Sequence, residues 1–142
     1  MRPSLFPVLC LLCSLLISCT DYDLNQADSP ANKKGFTKHI GFEPSEDITG
    51  VYYYADELGA DVQYQLHFSC DKLTFEKICE KLGLQIEKAD YSALDPRTDL
   101  PWWDKESTKD HVIRVFVKEG SHHRELWYSE AKKTAYYHEY SL

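Results

Sequence analysis

Three groups of side chains in this 142-residue chain could do chemistry. The first is Cys19, which stands where an apolar run from Leu5 to Ile17 stops and the chain turns polar at Thr20-Asp21. A cysteine thiolate is a nucleophile and can be covalently capped. The second is Cys70 with Cys79, an even pair that a disulfide could join in an exported protein. The third is His122, His123, His138 and Glu139, which would meet near a metal if the last hairpin paired in the right register. Zinc asks for three or four N, S or O ligands held tetrahedrally. Neighbouring strand residues point to opposite faces, so His122 and His123 cannot easily share an ion. No H-E-x-x-H or paired C-x-x-C is present, and solvated or edge-strand histidines are the ordinary reading. The chain also lacks G-x-S-x-G, Walker and glycine-rich dinucleotide motifs. Its loop acids Asp95, Asp99, Asp104 and Glu106 read as groups that face water. No catalytic residue, metal or cofactor is assigned.

The start of the chain explains Cys19. Arg2 supplies a positive charge, and the thirteen apolar-run residues that follow include Pro7. As a helix they would span about 20 Å at ~1.5 Å per residue. A bilayer core is roughly 30 Å thick, so the run is short for a transmembrane helix and suits a secretory signal. Leu16-Ile17-Ser18-Cys19 resembles the lipobox of bacterial lipoproteins. The resemblance implies that residues 1–18 are a signal peptide cleaved before Cys19. It also implies diacylglycerol on the Cys19 thiol and an acyl chain, such as palmitate, on the new amine. Residue 20 is Thr rather than Asp, which resembles outer-membrane sorting and implies a protein facing the periplasm. Buried acyl CH₂ groups contribute about 0.8 kcal/mol each, and more than one chain is needed for a stable anchor.

Charge narrows the partners. The chain has 16 basic and 23 acidic residues, a net charge of −7. Arg2 is the one charged residue ahead of Cys19, so the chain from Cys19 onward carries −8. That balance argues against nucleic acid and anionic lipid as main partners. Cys10 and Cys13 fall in the signal, which leaves Cys70 and Cys79 as the protein pair. Both a bridge and two buried thiols remain open.

The elements that position these residues follow from periodicity. Residues 19–47 are rich in Asp, Asn, Ser, Pro and Lys and read as a polar tether, with Phe36, Ile40 and Phe42 able to dock its second half. A single domain is expected over 48–142. Val51–Ala55 is aromatic-rich and fits a strand. In Asp61–Cys70, Val62, Tyr64, Leu66, Phe68 and Cys70 share one face, and Gln63, Gln65, His67 and Ser69 share a wet one. A helix follows, with Thr74 as its N-cap, Leu73 and Ile78 as a hydrophobic staple, and Gly83 as its stop. Leu84–Lys88 is a short candidate strand, and residues 92–106 read as a long loop. His111–Lys118, His123–Ser129 and Thr134–Tyr140 read as a meander. The order is ββαβββ-like. It predicts an α+β domain with an antiparallel sheet of about five strands and one helix on one face.

Pro101-Trp102-Trp103 is either a lid on the core or an exposed contact patch. Tryptophan is enriched in binding hot spots. A lid is favoured, because exposed indoles risk aggregation. As a patch it would join Trp127, Tyr128 and Tyr137 in a binding surface. The segments FSCDKLTFEKI, PWW and LWYSEAKKTAYYHEY, over Asp61–Leu142, resemble small bacterial lipoproteins, and that resemblance implies no particular activity. The expectation is a lipid-anchored envelope protein that contacts another envelope protein without catalysis. The alternatives are an immunity-type inhibitor of a periplasmic toxin, and a metal-binding protein or enzyme using the terminal-hairpin histidines.

Overall fold

The computed structural model describes residues 21–59, 61–86, 94–106 and 113–142. In chain order the elements are α1 (Pro30–Ile40), β1 (Thr49–Asp56), β2 (Val62–Ser69), α2 (Lys72–Leu82), β3 (Gln85–Ile86), β4 (Ile113–Glu119), β5 (His122–Ser129) and β6 (Thr134–Ser141). The strands form one antiparallel sheet in the order β1-β2-β6-β5-β4-β3. The expected α+β class is therefore present. Among the described residues the sheet has six strands because the two-residue β3 adds an edge, and there are two helices because α1 forms in the stretch expected to be a tether.

Register decides what each face carries. Tyr53 lies opposite Leu66, Leu66 opposite Tyr137, Tyr137 opposite Leu126 and Leu126 opposite Val115. This row crosses from β1 to β4 and is buried along its whole length. Side chains alternate across a strand, so one apolar row per two residues gives a continuous apolar face. Both helices cover it. From α1, Phe36 packs edge-on against Phe68 at 5.1 Å, and from α2, Phe75 stacks on Tyr128 at 4.5 Å. Gly35 lets α1 come this close, because a Cβ there would lie 2.2 Å from Cδ1 of the Tyr53 ring.

The second face differs from the wet surface expected. Gln65 is fully buried and His67 half-buried. Residues 94–106 cross over this face and cover it. Glutamine and histidine on alternate positions suggest solvent, but here they serve as hydrogen-bonding partners for a loop backbone.

Residues 21–47, the described part of the expected tether 19–47, are not a tether. The chain from Tyr22 onward belongs to the fold. Ser29 caps α1 by accepting from the Asn32 N–H, Pro30 occupies the first turn, and Gly41 closes the helix with φ 90°. Phe36 and Ile40, four residues apart, bury one face of the helix completely. The polar residues before it satisfy backbone groups instead of facing water. Asp28 adopts φ 58°, and its carboxylate accepts from the N–H groups of Gly50 and Val51, both at 3.0 Å. Those two residues lie where the β1–β2 register shifts, so Asp28 caps a break in the edge strand. Asn32 is fully buried. Its Oδ1 accepts from Asp23 N at 2.8 Å, and its Nδ2 donates to the carbonyls of Asp23, Gln26 and Val51 at 2.8, 3.0 and 3.3 Å. The segment 21–29 is thereby strapped to the edge of β1.

The start of α2 also moves. Asp71 is the N-cap, accepting from Thr74 N at 2.8 Å, and the Thr74 hydroxyl donates to Asp47 instead. Leu73 is 66% exposed, so no staple forms with Ile78. Asp is as good a cap as Thr, and starting earlier gives the helix a further turn.

Candidate functional site

Two polar constellations stand out, one on each face of the sheet. On the helix face, Glu139 of β6 lies near the last turn of α1. Its Oε2 is 2.8 Å from His39 Nδ1 and accepts from the Tyr137 hydroxyl at 2.7 Å. Its Oε1 is 2.9 Å from His122 Nε2 and 4.0 Å from Arg124 Nε. The other nitrogen of His39 meets the Tyr53 hydroxyl at 3.0 Å. Burial alone would raise the Glu139 carboxyl. The hydrogen bonds from His39 and Tyr137, with the nearby His39 and His122, outweigh it and hold the group below the usual range.

Carboxylate, imidazole and hydroxyl in line, Glu139–His39–Tyr53, is the order of a nucleophile relay. A relay needs an accessible hydroxyl that ionises readily. Tyr53 is 3% exposed, and burial first, then the charges around it, push its hydroxyl well above the ordinary value. The hydroxyl of Tyr137 on the same carboxylate is also driven up, by burial and then by Glu139. The arrangement is that of a pin joining α1 to β5 and β6, with His122 and Arg124 as its partly exposed rim.

On the second face, Gln65 Oε1 accepts from Arg97 N at 2.8 Å while its Nε2 donates to Arg97 O at 3.0 Å. One side chain thus pairs with the covering loop as a strand would. Gln63 donates to the Asp95 carbonyl at 3.3 Å. The Arg97 guanidinium lies over the Tyr54 ring, donates to its hydroxyl at 2.8 Å and is gripped by Asp99. Next to these clamps Trp103 packs edge-on against Trp127 and Tyr136, at 6.2 and 5.1 Å, and Trp102 stacks on Tyr52 at 5.7 Å.

This placement decides the aromatic surface. Trp103 of the lid and Trp127 of the sheet are buried against each other, at 5% and 7% exposure. Tyr128 and Tyr137 are buried on the opposite face, in the helix-covered core. Only Trp102 of the five is half-exposed. The five residues do not form one contact patch, because the β pleat splits them between faces and the lid covers the rest. PWW is a lid, as the aggregation argument favoured.

The terminal-hairpin histidines are divided in the same way. His122 and Glu139 meet on the helix face. His123 and His138 lie on the other, either side of Tyr140, at 4.6 and 4.7 Å between ring centroids. His138 is fully buried, accepts from Gln63 Nε2 at 2.8 Å, and is pushed down to about 3 by burial and then by His123. Among the described residues no three His, Cys, Asp or Glu side chains are placed to hold a metal ion.

Cys70 and Cys79 stand as free thiols, the second of the two alternatives left open. Burial, with Asp71, Asp47 and Cys79 behind it, pushes Cys70 up to about 12, and burial pushes Cys79 up to about 11. Neither is an activated nucleophile. Cys19 and the stretch read as a signal lie outside the described residues. Among the described residues no helix is long and apolar enough to cross a membrane.

His39, Tyr53 and Asn32 were not singled out in the sequence. Ser29-Pro30 and Gly41 are helix start and stop signals that could have revealed α1 and hence all three. Compared with known proteins, the chain matches no family model, no curated protein and no solved structure.

Proposed function

We propose that this chain is a lipid-anchored envelope protein, facing the periplasm from the outer membrane, that acts by contact with another envelope protein. The observation that carries the reading is the cysteine ending a short apolar run, LISC, three residues ahead of Tyr22, whose ring packs on Tyr53 and Tyr54. The inward-facing Glu139–His39–Tyr53 line supports a contact role over a hydrolytic one, because its hydroxyl is sealed and held protonated. The test is palmitate labelling with cell fractionation. The natural chain should be labelled and sediment with membranes. Cys19→Ser should lose the label and appear in the soluble periplasmic fraction. Equal labelling of both would overturn the reading.

The partner is then sought by in-cell photo-crosslinking from Leu58, just after β1, and Leu73, in the first turn of α2, which are 91% and 66% exposed. A basic toxin recovered there would identify the immunity-type role that a charge of −8 suits.

A further inference from the structure

The strap over residues 21–29 has a consequence for how the domain meets the membrane, given the lipidation of Cys19 proposed above. Only Thr20 and Asp21 separate Cys19 from Tyr22. Three extended residues reach at most about 11 Å. Tyr22 is held by rings, edge-on to Tyr53 at 6.3 Å and to Tyr54 at 5.4 Å. Asp23 is held by Asn32 through two hydrogen bonds of 2.8 Å. An anchor at Cys19 therefore cannot swing freely. It sits within about 11 Å of a rigid point on the edge strand β1.

The surface at that point carries apolar and aromatic groups among polar ones. Tyr22 and Leu24 are half-buried, and with Pro30 and Ala31, beside Asp23, Asn25 and Ser29, they line a shallow groove of about 720 Å³. On the same face of β1, two residues from the Tyr54 that holds Tyr22, Tyr52 carries the half-exposed Trp102. Tyrosine and tryptophan with one wet edge suit the interfacial layer of a bilayer. The acidic balance of the chain, with Asp21 exposed beside the anchor, fits zwitterionic headgroups better than anionic ones.

We infer that the surface formed by Tyr22, Leu24, Tyr52 and Trp102 at the β1 edge rests on a zwitterionic lipid bilayer, with the domain held against the membrane and its β3 edge pointing away. Five strand spacings of about 4.8 Å put the β3 edge roughly 24 Å from β1.

The experiment uses the full lipidated chain in phosphatidylcholine–phosphatidylethanolamine vesicles that carry a nitroxide on the headgroup. A bimane fluorophore is placed at Asn25→Cys, exposed beside the anchor, or at Ile86→Cys, 78% exposed on β3. The unsubstituted lipidated chain serves as the blank for Cys70 and Cys79. The inference expects most of the emission at position 25 to be quenched and little at 86. A twelve-residue Gly/Ser insertion between Thr20 and Asp21, with a reach of about 20 Å, should bring position 25 down to the level of 86. Equal quenching at 25 and 86 in a chain shown to carry lipid would overturn the orientation and leave the anchor intact. A chain that carries no lipid and does not sediment with vesicles would overturn both.

Discussion

Replacing Asn32 with alanine should release the strap. The natural side chain is fully buried and makes four hydrogen bonds to backbone groups of residues 23, 26 and 51. Each such bond contributes about 1 kcal/mol net, and a buried group left unpaired costs more. Val51 O keeps its bond from Asp28 N at 2.9 Å, and Gln26 is exposed enough for its carbonyl to be rehydrated. The two bonds to Asp23 are the ones without a ready substitute. The expected loss is therefore about 2–3 kcal/mol, short of the full four-bond sum. Asn32→Asp should be worse than Asn32→Ala, since a carboxylate oxygen would face three carbonyls where Nδ2 donates now. Urea unfolding gives the global loss, and amide exchange at residues 23–29 gives the local one. A loss under about 0.5 kcal/mol, the size of an ordinary surface substitution, with unchanged protection at 23–29 would refute the strap.

Other consequences follow from single contacts. Gly35→Ala would place a Cβ 2.2 Å from the Tyr53 ring and should cost about 1–3 kcal/mol by urea unfolding, with part recovered in the double variant Gly35→Ala/Tyr53→Leu. His138 titrates near 3 when folded against an ordinary 6.5, so the unfolded chain binds the extra proton between these values and stability falls as pH drops through that window. At pH 4.5 this one group should have cost about 2–3 kcal/mol relative to pH 7, and His138→Gln should remove that part of the difference. An unchanged difference in the variant would mean that His138 is not held neutral. Cys70 and Cys79 should resist iodoacetamide at pH 8 in the folded protein and react in urea, as followed by mass spectrometry.

The strands were legible because their pattern is a direct record of burial. Val62–Cys70 alternates, and Tyr64, Leu66, Phe68 and Cys70 do join the helix-covered core. β6 lies beside β2 instead of at an edge, which no local pattern announces; eight paired positions from Val62–Ser141 to Ser69–Thr134 fix it. Polar residues misled where they serve the backbone. Asn32, Asp28 and Gln65 look like solvent-facing types, yet each spends its hydrogen-bonding groups on main-chain atoms of a neighbouring segment. The same cause hid α1, whose apolar stripe is only Phe36 and Ile40, and made the Gln63–Ser69 face look wet. The Glu139 pin joins residues one hundred positions apart, His39 and Glu139, and sequence separation of that size leaves no local trace.

The central claim is that Cys19 is the lipid-bearing first residue of the protein in its membrane. Intact-mass and fragment analysis of the membrane-extracted protein tests it directly. The chain should start at Cys19, with diacylglyceryl on its sulfur and an acyl group on its amine. A chain that starts elsewhere, or begins at Cys19 with the thiol and amine unmodified, would contradict it.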